Sequence, residues 1–287
     1  MQSKLLWAGA LWAVALGLET GCSASMHGDA TDAGGATGSA GLGGASGAPG
    51  GAAGQGGAAG IDAGLDGDDR LFVPEDLPNT NQNGQDVGLV LIAFTLVPGA
   101  TGPSFYAAVQ NVWPTPLCEA GMMIAFYDRG GQLMGTAASV LQSGRFYQVN
   151  DGSGAIIPCV DPGQIAMTGE TDLPDTIAID QLGSLQHLFP SFNLDVTPVG
   201  GLTVTGVEAI ASGQGTAYSG TVVNDLGSTL SGPSVAIFPV NRVGRPLGMA
   251  TASAPTDLAP GETWTFQTDA VDDPGVDRGA YATGSVP

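Results

Sequence analysis

The sequence predicts an all-β protein: two tandem antiparallel β-sandwiches behind a disordered N-terminal tether. Three observations predict it. Leu89–Ala137 recurs without a gap as Leu202–Ala250, 113 residues later. Each copy is a series of short apolar runs at roughly 8–12-residue spacing with Gly, Asn and Asp between them, the pattern of sandwich strands. Ahead of the copies lies a tract of almost pure Gly, Ala, Ser and Thr, which cannot bury enough apolar area to offset ordering entropy.

Ten of the 49 repeat columns are identical, among them Gly102/Gly215, Asn111/Asn224, Leu117/Leu230 and Ile124/Ile237. A period this long marks tandem domains, because solenoid units are shorter. Beyond a four-residue insertion Leu141 and Gly144 match Leu258 and Gly261, and Val160-Asp161-x-Gly163 matches Val276-Asp277-x-Gly279. The expected domains are 1–21, 22–69, 70–198 and 199–287.

Residues 1–21 read as an export signal: Lys4, the apolar run Leu5–Leu18, then Thr20-Gly21. The run is too short for an ordinary spanning helix. Cys22, directly after Gly21, makes the segment resemble a bacterial lipoprotein signal, although Glu19 stands where such signals usually carry Leu. The resemblance implies a lipid on Cys22, anchorage to a membrane and, with Ser23 following, the outer membrane. Residues 23–69 would span roughly 38 Å as a flexible chain and about 160 Å when stretched.

Within the first copy the runs Leu89–Val97, Ser104–Val112, Met122–Tyr127, Gln132–Val140, Phe146–Val149 and Gln164–Thr168 are expected strands. In the second they are Leu202–Ile210, Ala217–Asn224, Ser234–Val240, Arg245–Ala252, Thr263–Thr268 and Ala280–Thr283. Asp128–Gly131 signals a turn. Thr176–Phe192 suggests a last strand of the first domain followed by a short helix and a packed linker.

The second copy reads Tyr218-x-Gly220-x-Val222-x-Asn224, then Gly244-x-x-Leu247-Gly248, then Leu258-x-Pro260-Gly261-Glu262-x-Trp264-x-Phe266. This resembles the FxLYD-type immunoglobulin-like modules of bacterial envelope proteins. The resemblance implies two immunoglobulin-like sandwiches and protein contact or spacing rather than catalysis. Asn224 is expected to close a turn through its amide, and Pro260-Gly261 to turn the chain before Trp264 and Phe266 enter the core. In the first copy Ser143 takes the place of the proline.

The formal charge is −20, and the only lysine is Lys4. Such a surface repels phosphate backbones and excludes nucleic acid as a partner. No zinc, phosphate-loop or metalloprotease motif is present, and no cofactor is expected. Asn79–Asp86 has calcium-loop spacing but neutral Asn at the first three ligand places and Val90 at the twelfth, so it reads as a polar turn and no metal is expected. His187 reads as an interdomain packing residue. The acidic pairs Asp172/Asp175 and Asp272/Asp273/Asp277 read as solvated loop charge. The expected function is therefore non-enzymatic: surface display, with adhesion, assembly or spacing toward an envelope protein or polysaccharide. The alternative is a carbohydrate-binding module using an exposed Trp113 or Trp264.

Three cysteines leave Cys118 and Cys159 to pair once Cys22 is lipidated. Their repeat counterparts are Ser231 and Gly275, so the second copy lacks the bond. The loop of about 42 residues is worth roughly 4 kcal/mol in the chain-entropy treatment.

Overall fold

The computed structural model describes residues 71–72, 88–99, 101–213 and 215–286. Residues 1–70, with Cys22, and the Asn79–Asp86 loop lie outside the described residues. Sixteen strands follow in order: β1 Leu71–Phe72, β2 Leu89–Val97, β3 Ser104–Asn111, β4 Leu117–Cys118, β5 Gly121–Asp128, β6 Leu133–Val140, β7 Arg145–Val149, β8 Ile156–Val160, β9 Ile165–Glu170, β10 Leu182–Leu188, β11 Val196–Ser212, β12 Gly215–Asn224, β13 Ser231–Val240, β14 Ala250–Ser253, β15 Thr263–Gln267 and β16 Asp277–Ser285. All the pairings are antiparallel. The fold is all-β and sandwich-like.

In the first copy the sheet β1-β2-β3-β9 faces the sheet β10-β5-β6. Phe94, Phe105, Val109, Met122, Ile124 and Phe126 fill the space between them. In the second, β15-β12-β11 faces β14-β13-β16 around Tyr218, Val222, Val235, Ile237 and Phe266. Side chains alternate across a strand, and on β13 both alternations are apolar. Val235 and Ile237 point into the second core, while Ala236, Phe238 and Val240 turn away from it. They meet Ala93, Tyr106, Ala108 and Met167 on the outer face of the first copy's sheet. The Tyr281 hydroxyl donates to the Ile165 carbonyl across this contact at 3.1 Å. A side chain at Gly279 would stand 3.0 Å from the Met167 sulfur.

A second connection joins the copies. β11 is 17 residues long and pairs with β12 from Leu202 onward and with β7 from Val196 to Gly201. The hairpin β7–β8 thereby extends the second copy's sheet to six strands, β15-β12-β11-β7-β8-β4. Phe146 on β7 is 1% exposed and sits in the second core, not the first. The domain boundary expected at 198/199 falls inside β11.

The hairpin also corrects the repeat. Gly163 donates to the Asn111 carbonyl as Gly261 does to that of Asn224, and Asn111 and Asn224 donate to Gln164 and Glu262. Gly163 and Gly261 share a φ of 75° and 74°. Asp161 N–H is held by the Gln164 side chain, and Ala259 N–H by that of Glu262. Val160–Gly163 is thus the equivalent of Leu258–Gly261. The match of Leu141–Gly144 to Leu258–Gly261 is incorrect, as is that of Val160–Gly163 to Val276–Gly279. The hairpin is an insertion in the first copy, and the proline thought missing there is Pro162.

The strand reading differs elsewhere. β4 and β8 were not expected, and β14 begins at Ala250 rather than Arg245. A 3-10 turn, Ile179–Gln181, precedes β10 instead of a helix following a strand. Pro190 limits the strand because it cannot donate to a ladder. Gly102 and Gly215 are both kept because a side chain there would meet the Leu173 and Val271 carbonyls at 2.0 and 2.4 Å, at φ +142° and +124°.

Candidate functional site: the junction of the two copies

The inserted hairpin brings together the two cysteines singled out in the first copy. Cys118 and Cys159 stand directly opposite each other on β4 and β8 and form a disulfide. Glu119 N–H bonds to the Pro158 carbonyl, while Cys118 gives its own N–H and C=O to Phe192 on the other side. The two cysteines therefore form a non-hydrogen-bonded pair, the close-approach position of an antiparallel ladder. Both are almost wholly buried, beside Tyr147, with Ile157, Leu194 and Val196 packed around them. The second copy lacks the hairpin. The place equivalent to Cys159 is Asp257, not Gly275, and Ser231 and Asp257 make no bond of this kind.

Next to the disulfide the Tyr147 hydroxyl donates to Asp161 at 2.5 Å, and Arg145 approaches the same carboxylate at 3.5 Å. Burial first, and then Asp161, pushes the Tyr147 phenol up to about 12. These three residues lock the base of the hairpin to the Pro162-Gly163 turn. Between hairpin and second copy lies a crevice of about 220 Å³ lined by Leu141, Gln142, Phe146, Pro158 and Ala282.

The remaining expected residues are accounted for locally. His187 is buried and lies edge-on to Phe189 at 4.9 Å. Phe189 belongs to the first core, so His187 packs inside the first copy and not between domains. Burial lowers its imidazole to about 4. Trp113 is half-buried against the first core and covers Gly88, where a side chain would collide with the indole. Trp264 packs on the second core, 5.8 Å from Phe266. Neither indole stands free on a sheet face, which corrects the expectation of an exposed Trp113. Asp172 accepts the Thr101 hydroxyl, Asp273 accepts Gly275 N–H at 2.9 Å, and Asp277 accepts Arg278 N–H at 2.8 Å. Asp273 thereby shapes a turn, while Asp172 ties together two segments distant in sequence and Asp277 opens β16. Among the described residues no three His, Cys, Asp or Glu side chains converge to hold a metal.

Sequence reasoning missed the junction itself. The signal for it was the continuous apolar run in β2 and β13, since a strand buried on both faces loses its alternation. No family model matches the chain, and no curated protein matches it in sequence.

Proposed function

We propose that the chain is a non-enzymatic, surface-displayed envelope lipoprotein. Its two sandwich copies act as one rigid body for adhesion, assembly or spacing. The observation that carries this reading is the junction: a shared sheet, the outer-face contact and the grafted Phe146 join the copies into one unit. A rigid head on a long Gly-rich segment suits a contact made at a distance from a membrane. The Pro-Gly turn after a buried Asn recurs in both copies, as a reading of two like modules requires. Cys22 supplies the anchor in this reading.

Metabolic labelling with a fatty-acid probe tests the address. Wild-type chain should incorporate the probe and Cys22→Ala should not. Equal labelling of both would remove the anchor from the reading, and loss of surface protease sensitivity in intact cells would remove display.

A further inference from the structure

The second copy leaves open a strand edge that the first copy has covered. β11 is the repeat equivalent of β2, with Leu202 in the place of Leu89. In the first copy β1 adds to the outer edge of β2, with Leu71 opposite Leu96 and Phe72 opposite Thr95. The equivalent residues of β11 are Ala209 and Glu208. Among the described residues, β11 pairs over this stretch with β12 alone, because β7 ends its pairing at Gly201.

The direction of the backbone groups follows from β12. Thr216 exchanges both hydrogen bonds with Val271, and Tyr218 accepts from Thr268 N–H, so both face away from β11. Alternation then turns Ala217 and Ser219 toward β11, and their partners Ile210 and Glu208 bond inward. Ala209 and Ala211 are left to direct N–H and C=O outward. Leu96, the equivalent of Ala209, meets Leu71 with the same groups. Glu208 through Ala211 are all exposed. The opening is bounded at one end, where Gly206 sits at φ +60° and the Arg278 guanidinium caps the Val207 carbonyl. Small side chains at Ala209 and Ala211 leave room for a neighbour. The surroundings are acidic: Glu208 lies in the opening, Asp272 follows Val271 beside the hairpin end, and the whole chain carries −20.

We propose that the Glu208–Ala211 edge is a strand-acceptor site, which binds an extended basic and apolar segment of a partner polypeptide as an added strand of the second sheet. The chain's own Arg70-Leu71-Phe72-Val73 is a segment of this kind, and its Leu71–Phe72 fills the equivalent edge. The inference is independent of where the chain is displayed.

The test uses the full chain and a fluorescent peptide, Lys-Arg-Leu-Phe-Val-Lys. Saturable binding by anisotropy is expected, with hydrogen exchange slowed at Ala209 and Ala211 and unchanged at Thr95 and Leu96. Ala209→Pro removes an outward N–H that has no strand partner among the described residues, so the melting temperature should hold while affinity falls about tenfold or more. Ala211→Pro should do the same. Absence of binding at millimolar peptide, equal affinity in both proline variants, or protection at β2 instead of β11 would overturn the proposal. Should Ala209→Pro fail to fold, Ala211→Pro and the wild-type exchange map decide the matter.

Discussion

Asn111 and Asn224 make the same three hydrogen bonds 113 residues apart. The Asn111 amide donates to the carbonyls of Thr115 and Val160, both at 2.9 Å, and its oxygen accepts Trp113 N–H at 2.9 Å. Asn224 donates to Ser228 at 3.0 Å and Leu258 at 2.8 Å, and accepts Leu226 N–H at 3.0 Å. Both side chains are fully buried. Each closes the turn that follows its strand and ties it to the Pro-Gly turn. Replacing either by Ala strands two carbonyls and an N–H, at about 1–3 kcal/mol for each buried orphan that water does not reach. We expect Asn224→Ala to cost roughly 3 kcal/mol in denaturant unfolding. A loss under about 0.5 kcal/mol, the range of neutral surface changes, would show that the network is not structural.

Phe146 belongs to the first copy in sequence and to the second in space. Phe146→Ala should cost about 3–5 kcal/mol. The local signature is faster amide exchange at Val222 and Ile237, which share its core. Loosening confined to first-core residues such as Phe105 would contradict the placement.

Reduction of Cys118–Cys159 should act on both copies. The bond holds the hairpin to β4, and the hairpin holds β11. A loss of up to roughly 4 kcal/mol is expected from the closed loop. Exchange should accelerate at Val196 and Thr197 as well as at Leu117. A second copy unchanged by reduction would show that the hairpin does not support it.

His187 makes stability depend on pH. Its imidazole sits at about 4 when folded, against an ordinary 6.5, because burial disfavours the charged form. The unfolded chain therefore binds the proton first. The contribution is fully present above pH 6.5 and is lost as pH falls from 6.5 toward 4, by up to about 3 kcal/mol. His187→Leu should flatten that slope in urea titrations at pH 7 and pH 4.5. An unchanged slope would point to the carboxylates instead.

Much of the fold was legible in the sequence because its signals are local. Leu89–Val97 is a strand to the residue, and Asp128 forms the expected turn by accepting Gly130 and Gln132 N–H, as Asn241 does for Val243 and Arg245. The cysteine pair followed from counting. The hairpin was hidden because a four-residue gap sufficed to find chance matches, such as Leu141 with Leu258, within the inserted stretch. The true anchor, Pro162-Gly163 against Pro260-Gly261, lies at a different offset, and only the bonds to Asn111 and Asn224 expose it. The outer-face contact left a trace, the lost alternation of β2 and β13, but a run buried on both faces does not say which sheet covers its outer face. His187 reads from the sequence as packing between domains, whereas it packs within the first copy beside its near neighbour Phe189.

The union of the two copies is tested most directly by scanning calorimetry of the full chain at neutral pH. Shared sheet, shared core and buried outer faces leave neither copy a complete fold of its own. A single transition is expected, with the calorimetric enthalpy equal to the van't Hoff enthalpy. Two resolved transitions, with the lower one removable without shifting the upper, would contradict it.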